Sequence, residues 1–177
     1  MIETFLSQFP PFEFNAFWVS QILIGFALIS DLISWQCKNR KWILSFLVIS
    51  CILIATHYVL LKELTGAVLL YIAALRYLVS IFTIKKTWMW FFLFLVAAGA
   101  YVSYESPKDI IELIANSVWG IAAFQVKDKN LREQTMIGSV FHIIYNVLVL
   151  SPAAIVLEIF FLFSNIVGYW RFYLRKK

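Results

Sequence analysis

The sequence predicts an all-α membrane protein of seven transmembrane helices: two parallel three-helix repeats joined by a linker helix. Three observations predict it. The composition is too apolar for water, seven separate apolar runs carry lopsided flanking charge, and rare polar residues match at a fixed offset. Of 177 residues, 62% are hydrophobic, 18% aromatic and only 14% charged, with a mean hydropathy of +0.83. Soluble domains are about a quarter charged, so lipid must be the solvent for most of this chain. A hydrocarbon core of ~30 Å takes about 20 apolar residues per helix. Seven such helices would use most of the chain and leave short loops.

The runs read as Phe17–Gln36, Trp42–Leu61, Thr65–Ile84, Thr87–Tyr104, Lys108–Val126, Glu133–Leu150 and Pro152–Tyr173. Ser106-Pro107 and Ser151-Pro152 each offer an N-cap followed by proline at the first helical position. One side of the membrane collects Lys38, Arg40, Lys41, Lys85, Lys86, Lys127, Lys129, Arg132, Arg171, Arg175, Lys176 and Lys177, and the other only Lys62 and Lys108. Only an odd number of spans gives this asymmetry, and positive-inside places the C-terminus in the cytoplasm and the N-terminus outside. Trp35, Trp42, Trp88, Trp90 and Trp170 cluster at the inner ends, as an aromatic belt would.

Residues 1–16 carry Glu3, Glu13 and four phenylalanines without a basic leader region, and read as a segment at the outer interface rather than a signal peptide. The net charge of +5 sits at helix ends, which excludes a nucleic-acid surface as its explanation. Cys37 and Cys51 suit neither a disulfide nor a metal pattern. HExxH, DxxD and GxSxG are all absent, so the expectation is no enzyme, no metal and no cofactor. Lipid and an unidentified small molecule are the expected partners. Seven helices suffice for a monomer, and a homo-oligomer stays open.

The repeat lies at an offset of 89: Gln36 falls on Gln125, Lys38 on Lys127, Arg40 on Lys129, His57 on Asn146 and Arg76 on Asn165. Residues 17–86 and 105–177 then form two copies with the same orientation, and 87–104 is the helix that returns the chain across. Parallel repeats are a known transporter design, with the site near the midplane between them.

This plan resembles that of the SWEET sugar transporters. A closer resemblance is to the YgjV-type bacterial inner-membrane proteins, grouped with SWEETs, PQ-loop proteins and PnuC-type vitamin transporters. It is carried by QCKNRK, THYVLL, GAVLLYIAALRYLV, HIIYNVLVLSPAAIVLE and SNIVGYWRF, and spans nearly everything from about residue 18. The resemblance implies a multi-pass protein of the bacterial inner membrane and a SWEET-like fold. Asn165 falls where SWEETs have a substrate-contacting asparagine, and Arg76 is its equivalent in span three. The chain departs from SWEETs in lacking their prolines in the equivalents of spans one, two, five and six. It also lacks the proline-glutamine pair of PQ-loop proteins. Neither a sugar nor proline hinges follow.

Arg76 is the only charged residue of 64–84, about 12 Å from the inner end of its span. Such a residue faces the protein interior, either paired with Asp31 or Glu158 or holding a polar ligand. His142 and Asn146 share a face of span six, Asn116 and Trp119 lie close on span five with Glu112 one turn away, and Glu158 shares a face with Asn165. With His57 these would line one polar pocket, where Trp119 and Tyr145 are candidate stacking surfaces. The interhelical alternative for each asparagine is a structural hydrogen bond of ~0.6 kcal/mol. His57, His142 and Glu158 are also deep enough, and of the right type, to carry a proton. The expected function is transport of a small polar solute by alternating access. The alternative is a non-transporting receptor or assembly factor, since the KDEL receptor shares this helix plan.

Overall fold

The computed structural model describes residues 16–60, 64–102, 104, 107–148 and 152–175, and among these every regular element is a helix. They are α1 (Ala16–Gln36), α2 (Arg40–Leu60), α3 (Leu64–Phe82), α4 (Lys86–Val102), α5 (Asp109–Ala123), α6 (Asp128–Leu148) and α7 (Pro152–Tyr169). A π-helical turn, Trp170–Leu174, prolongs α7. Residues 1–15, most of the expected interface segment, lie outside the described residues. The seven expected helices are all present. Asn39 starts α2 as an N-cap, its side-chain oxygen accepting from the Lys41 N–H at 2.9 Å. Pro152 opens α7, where a missing N–H costs nothing. α6 begins at Asp128, five residues before the sequence reading placed it, so the charged stretch 128–132 is helix rather than loop.

Three stretches are long and apolar enough to cross a membrane by length and composition: Trp18–Gln36, Arg40–His57 and Ile155–Leu174. Ala67–Phe82 and Lys86–Val102 are apolar but shorter. α5 has 15 residues and α6 carries charges in its first two turns, which is why neither reaches that length of unbroken apolar chain.

The molecule is turned inside out relative to a water-soluble bundle. Phe82, Phe94, Phe163, Trp90 and Tyr101 are exposed on its flanks, while Arg76, Arg132, Asn146, Glu158, Asn165 and seven serines are buried. Lipid-facing apolar surface with polar groups turned inward is what a hydrocarbon solvent selects. Small residues let the helices approach: Ala27, Ala55, Ala74, Ala115, Ala122 and Ala123 are all buried.

Helix adjacency has a reciprocal form. α2 packs against α1 and α3, and α6 against α5 and α7. Between the two triples α1 meets α7 and α3 meets α5, so first helix meets third helix both times. α4 packs more on α5 than on α3. One hydrogen bond recurs at the sequence offset: Ser30 Oγ donates to the Phe46 carbonyl at 2.8 Å, and Trp119 Nε1 to the Thr135 carbonyl at 3.2 Å. Likewise Arg40 donates to the Ser80 carbonyl, while Lys129 sits 6.0 Å over the Tyr169 ring.

Candidate functional site

Glu112 and Asn116 are one turn apart on α5, and Asn116 Nδ2 donates to Glu112 Oε1 at 2.8 Å. That bond points the other carboxylate oxygen at α6, where His142 waits. His142 Nε2 lies 3.4 Å from Glu112 Oε2, and Nδ1 lies 3.0 Å from Glu158 Oε2 on α7. One imidazole therefore joins three helices. Its plane is fixed by Tyr145, stacked at 6.2 Å and 11°, and by the edge of Trp119 at 5.0 Å. Trp119 reaches this position because α6 has a glycine opposite it. A Cβ at Gly138 would lie 2.5 Å from the indole ring. On α6, Ser139, His142 and Asn146 share a face. Glu112 Oε2, Ser139 Oγ, Asn146 Nδ2 and Glu158 Oε1 are buried with no hydrogen-bond partner. Buried polar atoms left unmatched are costly, and here four lie within two turns of one histidine or across from it.

Arg76 reaches α5 from α3. It is 1% exposed, and its Nη1 donates to the Asn116 carbonyl at 3.4 Å. A Cβ at Gly120 would make ordinary contact with Nη1 at 3.6 Å and press on Leu93 at 3.1 Å. The guanidinium carbon is 5.1 Å from the Tyr77 ring centroid. Among the described residues Arg76 makes no ion pair, with Asp31, Glu158 or any other carboxylate. Glu158 is taken by His142, and Asp31 takes a hydrogen bond from the Ser50 side chain. Asp31 remains in electrostatic range of Glu158.

The remaining expected residues go elsewhere. His57 Nδ1 is 3.0 Å from the Ser20 carbonyl and ties α2 to α1. Asn165 is fully buried at the basic end, where Nδ2 donates to the Arg132 carbonyl at 3.0 Å and Oδ1 receives Arg132 Nη1 at 3.4 Å. So Asn116, Trp119, His142, Tyr145 and Glu158 come together, with Asn146 one turn along and Arg76 at the Asn116 carbonyl. His57 and Asn165 do not join them.

Sequence reasoning missed the arginines of the basic end, counting them only as topology charges. Arg132 is fully buried and donates to the Trp35 carbonyl at 2.8 Å and to the Cys37 carbonyl. Arg40 donates to the Ala123 carbonyl at 2.6 Å and to the Ser80 carbonyl at 2.8 Å. Each triple's middle helix thus supplies an arginine to the carbonyl end of the other triple's first helix, where unmatched carbonyls carry the negative pole of the helix dipole. α7 comes so close to this contact that a Cβ at Gly168 would overlap the Trp35 carbonyl and lie 2.5 Å from Arg132 Nη1. Trp35 corrects the aromatic belt: it is 0% exposed, with Arg132 5.6 Å over its ring and Phe161 against its edge. Trp42, Trp88, Trp90 and Trp170 are exposed, as a belt requires. Glycine and asparagine three apart on α7, Asn165 and Gly168, were the available signal for something polar packed there.

Among the described residues no group of three or more His, Cys, Asp or Glu is arranged to hold a metal ion. Cys37 and Cys51 are both free. A cavity of about 260 Å³ lies between α4 and α5, lined by Ala97, Ala100, Tyr101, Tyr104, Asp109, Ile110 and Leu113, away from the polar cluster.

The family model for Imp-YgjV, described as bacterial inner membrane protein, matches residues 18–176. No curated protein matches, and no solved structure does.

Proposed function

The chain belongs to this family of bacterial inner membrane proteins, and from that premise we propose that it moves a small polar solute across the membrane by alternating access. In this reading all seven helices cross, with the N-terminus outside and the C-terminus in the cytoplasm. Residues 17–86 and 105–177 are two SWEET-like repeats, 87–104 is the linker, and the repeats rock about a site between them. The reciprocal packing of α1 with α7 and α3 with α5 supports the repeats. The carrying observation is Arg76: a fully buried guanidinium without a carboxylate partner among the described residues. An unpaired buried charge costs several kcal/mol, and an anionic or hydrogen-bond-accepting solute would offset it.

Arg76 would hold that group at the face where the triples meet. Asn116, Asn146 and His142 would orient the polar remainder, Trp119 and Tyr145 would stack, and Glu158 and Asp31 would balance charge in the empty state. Asn165 is engaged by Arg132 in this arrangement and would meet solute only in another one. No residue is assigned a catalytic role. The test is a melting-temperature screen of detergent-purified protein against a library of small polar metabolites, run beside Arg76→Gln. A compound that raises the wild-type melting point and not the variant's, and that enters wild-type proteoliposomes, is the expected result. A compound that binds both alike, or that binds without entering, overturns the assignment and favours a receptor.

A further inference from the structure

A neutral imidazole carries one N–H and one bare lone pair, and an ionised carboxylate only accepts. Both ring nitrogens of His142 face carboxylate oxygens, at 3.0 Å for Glu158 and 3.4 Å for Glu112. The Glu158 contact is a hydrogen bond, while Glu112 Oε2 is buried without a hydrogen-bond partner, and satisfying both oxygens takes two hydrogens. Neutral His142 between two ionised glutamates supplies one, and the other contact then sets lone pair against lone pair. In the interior of a bundle little water screens that repulsion. The missing hydrogen belongs either on the ring or on a glutamate, and in both cases the triad holds one proton more than its neutral histidine brings. We propose that Glu112, His142 and Glu158 form a proton-binding site whose loaded state fastens α5 and α7 to α6 and whose unloaded state releases α5.

The contact that yields is the Glu112 one. It is the longer of the two, and Glu112 is the most open member: side-chain exposure falls from 31% at Glu112 to 24% at His142 and 11% at Glu158. The proton passes from the triad to water beside Glu112, forming hydronium, and the triad goes from one net negative charge to two. No other bond forms or breaks. The ring is held between Trp119 and Tyr145, so relief comes from parting Glu112 from the ring. The surrounding charges are Asp109 on α5, acting on Glu112, Asp31 on α1, acting on Glu158, and Arg76 on α3, which meets α5 at the Asn116 carbonyl.

Proton binding stands without the transport reading; its use to drive a solute rests on that reading. The probe is pH itself. Infrared difference spectra of the full chain in proteoliposomes, without solute, are recorded from about pH 4 to pH 9. Imidazole and carboxyl bands that titrate together in wild type, and disappear in His142→Gln, are expected. Carboxyl bands unchanged in His142→Gln, or neither imidazole nor carboxyl titration in wild type, overturn the site. If His142→Gln does not fold, Glu112→Gln keeps a hydrogen-bonding amide beside Asn116 and must change the proton affinity at least tenfold; an unchanged affinity overturns the site equally. Uptake that ignores an imposed pH gradient while the bands persist removes the coupling alone. Titrating bands absent from the wild type with intact uptake remove the site and leave transport standing.

Discussion

At the scale of single residues, glycine decides where polar groups meet. Gly168 exists because α7 touches the carbonyl end of α1 with the Arg132 guanidinium between them. Gly168→Ala should lower stability by about 1–3 kcal/mol, the usual cost of overpacking, read as a lower melting temperature in detergent. Gly138→Ala should cost less, since the Trp119 side chain it would strike can shift while the Trp35 backbone cannot. It should also disturb His142, which rests on the Trp119 edge. Arg132→Lys should behave almost as Arg132→Ala, because one ammonium cannot span the Trp35, Cys37 and Asn165 acceptors that a planar guanidinium reaches. Loss of a charged hydrogen bond is worth about 1.5–3 kcal/mol, so both variants should melt well below wild type. The residues of the polar cluster were legible because Asn116, His142 and Glu158 are scarce types in apolar runs. Their partners were not: nothing in the spacing of Arg76 says that Glu158 is spoken for by a histidine on a third helix.

At the scale of elements, the apolar runs located all seven helices because in lipid a helix must satisfy its own backbone. Ends were harder. The stretch DKNLR reads as a charged loop, yet it is the start of α6 and carries Arg132 inward on a helical face. Burial of one side of a charged turn depends on which helix end lies opposite, and that is a tertiary fact. The same reasoning misplaced Trp35, an interface residue by position and a core residue by contact with Phe161. Brominated lipids should therefore quench most of the fluorescence from Trp42, Trp88, Trp90 and Trp170 and leave the Trp35 component, isolated by Trp→Phe substitution of the others, largely intact. Equal quenching of Trp35 would contradict its burial.

At the scale of the whole molecule, helix packing has a reciprocal form: α1 meets α7, α3 meets α5, and the Ser30–Phe46 contact is answered by Trp119–Thr135. Reporter fusions should place the C-terminus in the cytoplasm and a residue before α1 outside; the same compartment for both would defeat the seven-span topology. The exchange of arginines between triples has one more consequence, for how the protein is made. The end of α1 leaves the ribosome long before its partner, since Trp35 and Arg132 are separated by 97 positions and Arg40 and Ala123 by 83. Until the later half is synthesised, water or lipid headgroups must stand in at the Trp35 carbonyl and around the Arg40 guanidinium. In the seven-span reading the first three helices enter the membrane as an unfinished piece, and assembly ends only when the rest of the chain arrives to displace that temporary solvent.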